Sequence, residues 1–335
     1  MSRPRDIVDR GGEVDAPRAR AECDMRGLPL TTTPETRAPH SPTSRPWGRW
    51  LALLASIGPG LWFVRLVADV PGLIVLAAAV PALLYAWSIT RIDRYDPEPR
   101  LALLAALVGG AVLAAYLSHT VNGWLLAWAE TLAGGDEARP LAAGFGAPVV
   151  EELAKGATLA LLVVLGGTLL DGALDGIVYG ALVGVGFAFT ENVVYLTFAV
   201  LQGGPAGLMQ AVYIRALLGG FNHAAFTATT GAALGHAWSA RAPRGRWLVL
   251  AVGLGLAIVQ HVAWNAVASH AINGVLCGPE LVGGPCRPHP TDTSLFVLVP
   301  LLTGIFIGPG LMTLGAIAVL ALEREARRRA AVPSI

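Results

Sequence analysis

Eight apolar runs of about 20 residues, the length a helix needs to cross a bilayer, dominate this sequence. They lie at roughly 50–68, 70–90, 101–128, 142–168, 173–200, 209–238, 246–269 and 295–322. Only 14% of the residues are charged, against about a quarter in an ordinary soluble domain. We therefore predict an all-α fold, a polytopic transmembrane helix bundle of about eight spans embedded in a lipid bilayer.

The arginines set the predicted orientation of this bundle. Nineteen of the 24 Lys and Arg residues fall in segments that face the cytoplasm if the N-terminus does. The positive-inside rule then favours an N-in, C-in, multi-pass protein. The formal net charge of +1 offers no basic field for a nucleic-acid partner.

The flanking segments differ in composition from the span region. Residues 1–46 are rich in Arg, Pro and Thr without apolar periodicity, which predicts a disordered cytoplasmic tail. A transmembrane domain over 47–322 and a basic cytoplasmic tail over 323–335 follow. Cys277 and Cys286 share a predicted outer loop, where a disulfide and two free thiols are both compatible with the sequence.

Four of the runs carry polar groups that a bilayer normally excludes. The fourth contains VVEELAKGATLALLVV (149–164), which includes the single lysine of the chain, and the next three runs contribute further acids, amides and histidines. These residues are Glu151, Glu152, Lys155, Glu191, Asn192, Asn222, His223, His261 and Asn265. Gly180 with Gly184, and Gly231 with Gly235, have the spacing of close helix packing.

The predicted orientation places these groups in one layer. At 1.5 Å per residue, Glu151 and Glu191 lie ~14 Å, His261 ~12 Å and His223 ~21 Å below the outer face. Burying each charge in a membrane costs roughly 2.5–3.5 kcal/mol, so the groups need partners or a wet cavity. The layer is either a functional site open to the outer side or a structural polar cluster that ties helices together.

Local spacing suggests roles for individual residues. Glu151 and Lys155 are four residues apart on one helix face, and Glu152 lies about 100° away, so lysine can hold one glutamate while the other acts as a general base. His261 and Asn265 also share a face, where an imidazole and an amide suit metal ligation or hydrogen bonding to an oxyanion. We expect Arg215 to extend outward to the interface, with an ion pair inside the cluster as the alternative.

In their order along the chain, these motifs resemble the PrsW family of intramembrane proteases, which is similar to the CAAX-protease and bacteriocin-processing membrane enzymes. The resemblance covers about 91–270 as the transmembrane core. It consists of EExxK (151–155), FxxxEN (187–192), a histidine with a threonine one turn later (His223 and Thr227) and HxxxN (261–265).

The resemblance implies an endopeptidase of the bacterial plasma membrane that cleaves membrane-protein substrates such as an anti-sigma factor from the outer side. The implied catalytic residues are Glu151, Glu152, Lys155 and Asn265, with Asn265 as the oxyanion or substrate-carbonyl donor. Glu191, His223 and His261 are the implied ligands of a zinc ion. The similar CAAX enzymes are argued to work without a catalytic metal, so a metal-free glutamate-type site is also compatible.

The alternative hypothesis is a cation or proton transporter that uses the same Glu/His layer as its binding site. Transport requires a polar path to both membrane faces. The inner halves of the fourth and seventh runs, ATLALLVVLGG and WLVLAVGLGLA, are apolar. Water would then reach the site from one side of the membrane and not from the other. This pattern favours the enzyme over the transporter.

Overall fold

The computed structural model describes residues 46–92, 97–133, 141–166, 169–170, 172–238 and 245–265. Within these residues the chain is helical and contains no strand. The eighth predicted run, the loop with Cys277 and Cys286, the tail at 323–335 and the predicted N-terminal tail as far as residue 45 lie outside the described residues.

The described helices cover the first seven predicted runs as far as residue 265, but the sixth run is divided among several elements. The elements are α1 (Pro46–Ala68), α2 (Gly72–Ile92), α3 (Arg100–Gly109), a π-helical turn (Gly110–Ala114), α4 (Ala115–Ala133), a second π-helical turn (Ala142–Gly146), α5 (Ala147–Gly166), α6 (Ala173–Val212), a π-helical segment (Tyr213–Leu218), α7 (Asn222–Trp238) and α8 (Arg246–Ala263).

Four helical stretches of the described chain are long and apolar enough to cross a membrane: Gly72–Arg91, Arg100–Leu132, Ala173–Ala216 and Arg246–Ala263. Helix α5 carries three charged side chains, and α7 has only 17 residues, so neither qualifies by length and composition alone. The all-helical membrane architecture is therefore confirmed, while the count of eight spans and the orientation stay predictions.

Helix α6 forms the centre of the bundle and packs against α2, α3, α5 and α7. Most of its apolar span, 83%, is buried inside the protein, against 17% for α2 and for α8. The outer helices instead expose large apolar side chains such as Trp87 and Leu248. This contrast is expected when the outer helices face lipid and the central one faces only protein.

Glycines bring α6 and α7 into backbone contact. A Cβ atom on Gly176 would collide with the carbonyl oxygen of Gly231, and one on Gly184 would collide with the carbonyl oxygen of His223. The predicted close packing at Gly180, Gly184, Gly231 and Gly235 is thus confirmed. It places the first turn of α7, with His223, directly against α6.

The sixth run is broken in the middle, and the prediction of one continuous helix over 209–238 is wrong. Before this run, in the predicted gap between the fifth and sixth runs, Gly204 has φ +59°, a left-handed conformation that favours glycine, and it reverses the chain before Pro205. The break inside the sixth run separates the π-helical segment from α7 at Gly219–Phe221. Two adjacent glycines permit this break, and Gly219 N–H still donates to the Ile214 carbonyl at 2.8 Å.

Each of the three π-helical stretches has a carbonyl that accepts a hydrogen bond from a distant side chain. The Thr190 hydroxyl donates to Ala111 O at 2.7 Å, and the Tyr85 hydroxyl donates to Ala216 O at 2.7 Å. The Asn265 amide donates to Ala143 O at 3.3 Å. A π-helical turn interrupts the regular pattern of backbone hydrogen bonds in a helix. The side-chain bonds satisfy backbone carbonyls there, which lipid cannot do because it has no hydrogen-bond donors in the hydrocarbon region.

Candidate active site

Helices α5, α6, α7 and α8 bring the predicted polar residues together. Near its N-terminal end α5 contributes both glutamates and the lysine, and the other three helices contribute Glu191, His223 and His261. Lys155 and Glu152 are completely buried, and His261 is 1% exposed. The shared layer predicted from depth along each run is therefore one contiguous cluster.

Glu152 is the hub of the cluster. Its Oε1 accepts a hydrogen bond from Lys155 Nζ at 2.7 Å and lies 2.9 Å from His261 Nδ1. Its Oε2 accepts a longer bond from the Thr227 hydroxyl at 3.4 Å. The lysine ammonium also lies 4.0 Å from the centroid of the Phe187 ring. Both carboxylate oxygens of Glu152 are thus engaged.

Glu151 is held much more loosely. Its Oε1 accepts a bond from Asn122 Nδ2 at 3.4 Å, and its Oε2 lies 3.9 Å from Lys155 Nζ. This Oε2 is buried and has no hydrogen-bond partner among the described residues. The lysine therefore pairs closely with Glu152, three residues away, and only distantly with Glu151, four residues away.

His223 links the cluster to an arginine. An ammonium can only donate, so the 3.0 Å contact with Lys155 Nζ makes His223 Nδ1 the acceptor. His223 Nε2–H then donates to Glu191 Oε2 at 2.8 Å. The same carboxylate oxygen pairs with Arg215 at 2.5 Å, and Arg215 Nε donates to Asn192 Oδ1 at 2.8 Å.

Arg215 is the site neighbour that sequence reasoning misjudged. It was expected to extend outward, yet it pairs with Glu191 and Asn192 and stacks over the Tyr195 ring at 3.9 Å. Its position inside an apolar run was the available signal. Asn122 carried the same kind of signal, as an amide inside the third run, and the sequence analysis did not use it.

The donor set suits a divalent metal ion. Glu151, His223 and His261 are buried, and each offers a ligand atom within 4.8 Å of the others. With Nδ1–H donating to Glu152, the Nε2 lone pair of His261 lies 3.7 Å from the unpartnered Oε2 of Glu151. Two hydrogen-bond acceptors that face each other repel unless a cation or a proton lies between them. Two histidines and one carboxylate are a known catalytic zinc set.

The group of close potential ligand atoms differs from the expected ligand set in one residue. Glu191 was expected to be a ligand, but its carboxylate is engaged by Arg215 and His223, and Glu151 takes its place in the group of close ligand atoms. His223 Nδ1 can bind a metal only if it gives up its hydrogen bond from the Lys155 ammonium. A carboxylate on the second nitrogen of each histidine is the usual support of metal-binding imidazoles.

The amide of the predicted oxyanion donor, Asn265, is hydrogen-bonded to a backbone carbonyl. Asn265 donates its amide to Ala143 O in the π-helical turn before α5, in the same way that Thr190 and Tyr85 satisfy the other two π-helical stretches. Its contact therefore supports the backbone next to the site. The role of Asn265 as an oxyanion or substrate-carbonyl donor stays a prediction.

Comparison with known proteins agrees with this cluster. The family model described as PrsW family intramembrane metalloprotease matches residues 98–305, more than half of the chain. This range includes all of the clustered residues. No curated protein and no solved structure matches the chain. Together, the matched range and the buried Glu/His cluster show that the chain belongs to the PrsW family of intramembrane metalloproteases.

Proposed function

We propose that this chain is an integral membrane endopeptidase that cleaves membrane-associated proteins with the buried Glu/His cluster. The observation that carries the proposal is the pair of acceptors at its centre. Glu151 Oε2 has no partner among the described residues, and it lies 3.7 Å from His261 Nε2. A structural cluster would be expected to satisfy every buried polar atom, whereas a reactive site keeps some for its substrate, water or ion.

The two glutamates have different roles in this proposal. Glu152 is ionised and fully engaged, so it holds Lys155 and orients His261 through Nδ1. Glu151 keeps an oxygen available for a proton. In a metal-free mechanism it takes a proton from water as the water oxygen bonds to the scissile carbonyl carbon. The proton passes to the leaving amine when the C–N bond breaks.

Zinc is the cofactor proposed for this site. It would be held by His261, His223 and Glu151, the three residues whose ligand atoms lie within 4.8 Å of one another. When bound, zinc supplies Lewis acidity that polarises the scissile carbonyl. Glu152 and Glu191 would support the two histidines from behind, through His261 Nδ1 and His223 Nε2.

Elemental analysis of the purified protein decides between the metal-dependent and the glutamate-type mechanism. Stoichiometric zinc in the native protein, lost in both His223→Ala and His261→Ala, supports the metalloprotease. A native protein that cleaves substrate and contains no metal supports the glutamate-type alternative. Thr229→Val, which removes a half-buried hydroxyl on α7 outside the cluster, serves as the control and should leave the metal content unchanged.

The proposed setting is the bacterial plasma membrane, with eight spans and both termini in the cytoplasm. The arginine distribution supports this orientation, which would open the site toward the outer face. A membrane protein such as an anti-sigma factor is the proposed substrate. Reporter fusions after residues 94 and 136 test the orientation, because the first must report the cytoplasm and the second the outer side.

Alanine substitution of the glutamates tests the proposed function. Glu151→Ala and Glu152→Ala should each abolish cleavage of a membrane-protein substrate by full-length protein in lipid bilayers. Leu153→Ala, which changes the next residue in sequence and lies on the exposed face of α5, should retain cleavage. Native rates in both glutamate variants would exclude this cluster as the hydrolytic centre.

A further inference from the structure

Asn122 is a half-buried amide on α4 that contacts the proposed zinc site from outside the four helices that supply its charged residues. Its Nδ2 donates to Glu151 Oε1 at 3.4 Å. Among the described residues this is the only hydrogen bond that the Glu151 carboxylate receives, because Oε2 has no partner there. The hydrocarbon region of a bilayer contains no donor that could replace it. Helix α4 is therefore part of the surroundings of Glu151.

The spacing along α4 explains why this amide points inward. Ala115, Ser118 and Asn122 follow one another at intervals of three and four residues, so they lie on one face of the helix. Ala115 and Ser118 are buried, at 6% and 2% exposure. Asn122 continues this buried face by one turn, and its neighbour there is α5, which carries Glu151. The helix itself thus directs the amide to the carboxylate.

The start of this helical rod is fixed against α6. A Cβ atom on Gly110 would lie 2.0 Å from the Val183 carbonyl oxygen, so the two backbones are in direct contact. The Thr190 hydroxyl donates to Ala111 O at 2.7 Å. Asn122 follows Ala111 by about three helical turns. The amide is therefore presented by a packed helix and not by a loop, which is the condition for precise positioning.

The bond to Asn122 determines which oxygen of Glu151 faces the centre of the cluster. With Oε1 directed to Asn122, Oε2 lies 3.7 Å from His261 Nε2 and 3.9 Å from Lys155 Nζ. A glutamate side chain without such a bond would lose more conformational freedom when it binds an ion. The Asn122 bond restricts the carboxylate before binding, so part of this entropic cost is removed.

We propose that Asn122 is a positioning residue of the zinc site, which acts by holding Glu151 Oε1 so that Oε2 faces His261. This inference rests on the zinc-dependent form of the proposed function. Asn122 acts through Glu151 in the same way that Glu152 and Glu191 support the two histidines. Each of the three proposed ligands then has a hydrogen-bonded partner behind it, and such partners contribute to metal affinity.

The Asn122→Leu variant tests the inference, with Zn²⁺ alone as the probe of full-length protein in detergent micelles. Leucine has a similar size but no donor for Glu151 Oε1. Competition with a chelating dye measures the zinc dissociation constant of the metal-depleted protein. We expect this constant to rise by about 10–100-fold. Thr120→Val on the same helix is the matched control and should keep the native value, because its hydroxyl bonds to Tyr116 O of its own helix at 2.9 Å.

The same substitution in a Glu151→Gln background separates positioning from a general structural role. Glu151→Gln retains both histidines, and we expect it to bind zinc more weakly than the native protein. If Asn122 acts only through the Glu151 carboxylate, the double variant has the same zinc affinity as Glu151→Gln alone. A further loss of affinity in the double variant would mean that Asn122 acts on another part of the structure, which overturns the inference.

The outcomes distinguish this inference from the proposed function. Native zinc affinity in Asn122→Leu overturns the inference alone. A native protein that binds no zinc overturns the zinc cofactor and the inference together. The endopeptidase proposal is judged separately, by cleavage of a membrane-protein substrate and its loss in Glu151→Ala and Glu152→Ala.

Discussion

The two halves of the buried polar cluster differ in how completely their atoms are paired. In the closed half, Glu152 is bonded to Lys155, His261 and Thr227 and is fully buried. In the open half, Glu151 Oε2 and both polar atoms of the Asn222 amide have no partner among the described residues. The comparison separates groups whose hydrogen bonds are complete from groups whose hydrogen-bonding capacity is unused.

The largest expected effect comes from breaking the closed half. Lys155→Met leaves the Glu152 carboxylate buried without its cation, so the free energy of unfolding should fall by about 3–5 kcal/mol. Denaturant unfolding in detergent micelles, followed by tryptophan fluorescence, measures the change. Leu153→Met on the same helix, whose side chain is 49% exposed, is the control and should have little effect. A Lys155→Met protein of native stability would mean that the closed half does not stabilise the fold.

The next largest effect should come from separating α6 and α7, which carry Glu191 and His223. Gly176→Ala places a Cβ against the Gly231 carbonyl, so the two backbones must move apart, at a cost of about 1–3 kcal/mol. Gly255→Ala on α8 is the matched control, because its Cβ would meet nothing within 4 Å. There the substitution should raise stability by up to about 1 kcal/mol through helix propensity. Equal stability changes in the two variants would contradict the close packing.

A smaller effect is expected at the edge of the cluster, where Arg215 pairs with Glu191. A double-mutant cycle of Arg215→Met and Glu191→Gln should give a coupling of about 1–2 kcal/mol. The value is lower than for Lys155 because the side chains are 23% and 18% exposed. Unfolding of the native protein, both single variants and the double variant measures it. Additive effects would show that the pair makes no net contribution.

The smallest stability change is expected in the open half. Glu151→Gln should change the free energy of unfolding by less than about 1 kcal/mol, because the Oε2 atom that it replaces has no bond to lose. Cleavage of a membrane-protein substrate should nevertheless disappear. If Glu151→Gln destabilised the protein as much as Lys155→Met, the distinction between the two halves would fail.

The fold was largely predictable because helices that cross a bilayer must be long and apolar, and that signal is readable in one sequence. The break at Gly219–Phe221 was not predictable, since two glycines in an apolar run are also compatible with a continuous membrane helix. Whether the backbone breaks there depends on α2 and α6, and the Tyr85 bond to Ala216 O shows one such long-range contact.

For the site, the residue types were predictable and most of the pairings were not. Spacings of three and four residues both permit an ion pair on a helix, so the sequence could not choose between Glu152 and Glu151 for Lys155. Arg215 was misjudged because its partners come from α6, whose position beside the π-helical segment depends on the turn at Gly204. The bond from Asn265 to Ala143 O was not predictable, because helical spacing relates Asn265 to His261 but carries no information about Ala143.

The complete burial of Lys155 has a practical consequence, since it is the only lysine in the chain. The folded protein offers no accessible ε-amine, so acylating reagents and amine cross-linkers have no side-chain target until the helices separate. Labelling of this single amine therefore reports opening of the bundle at its centre, and mass spectrometry can follow it without any engineered probe.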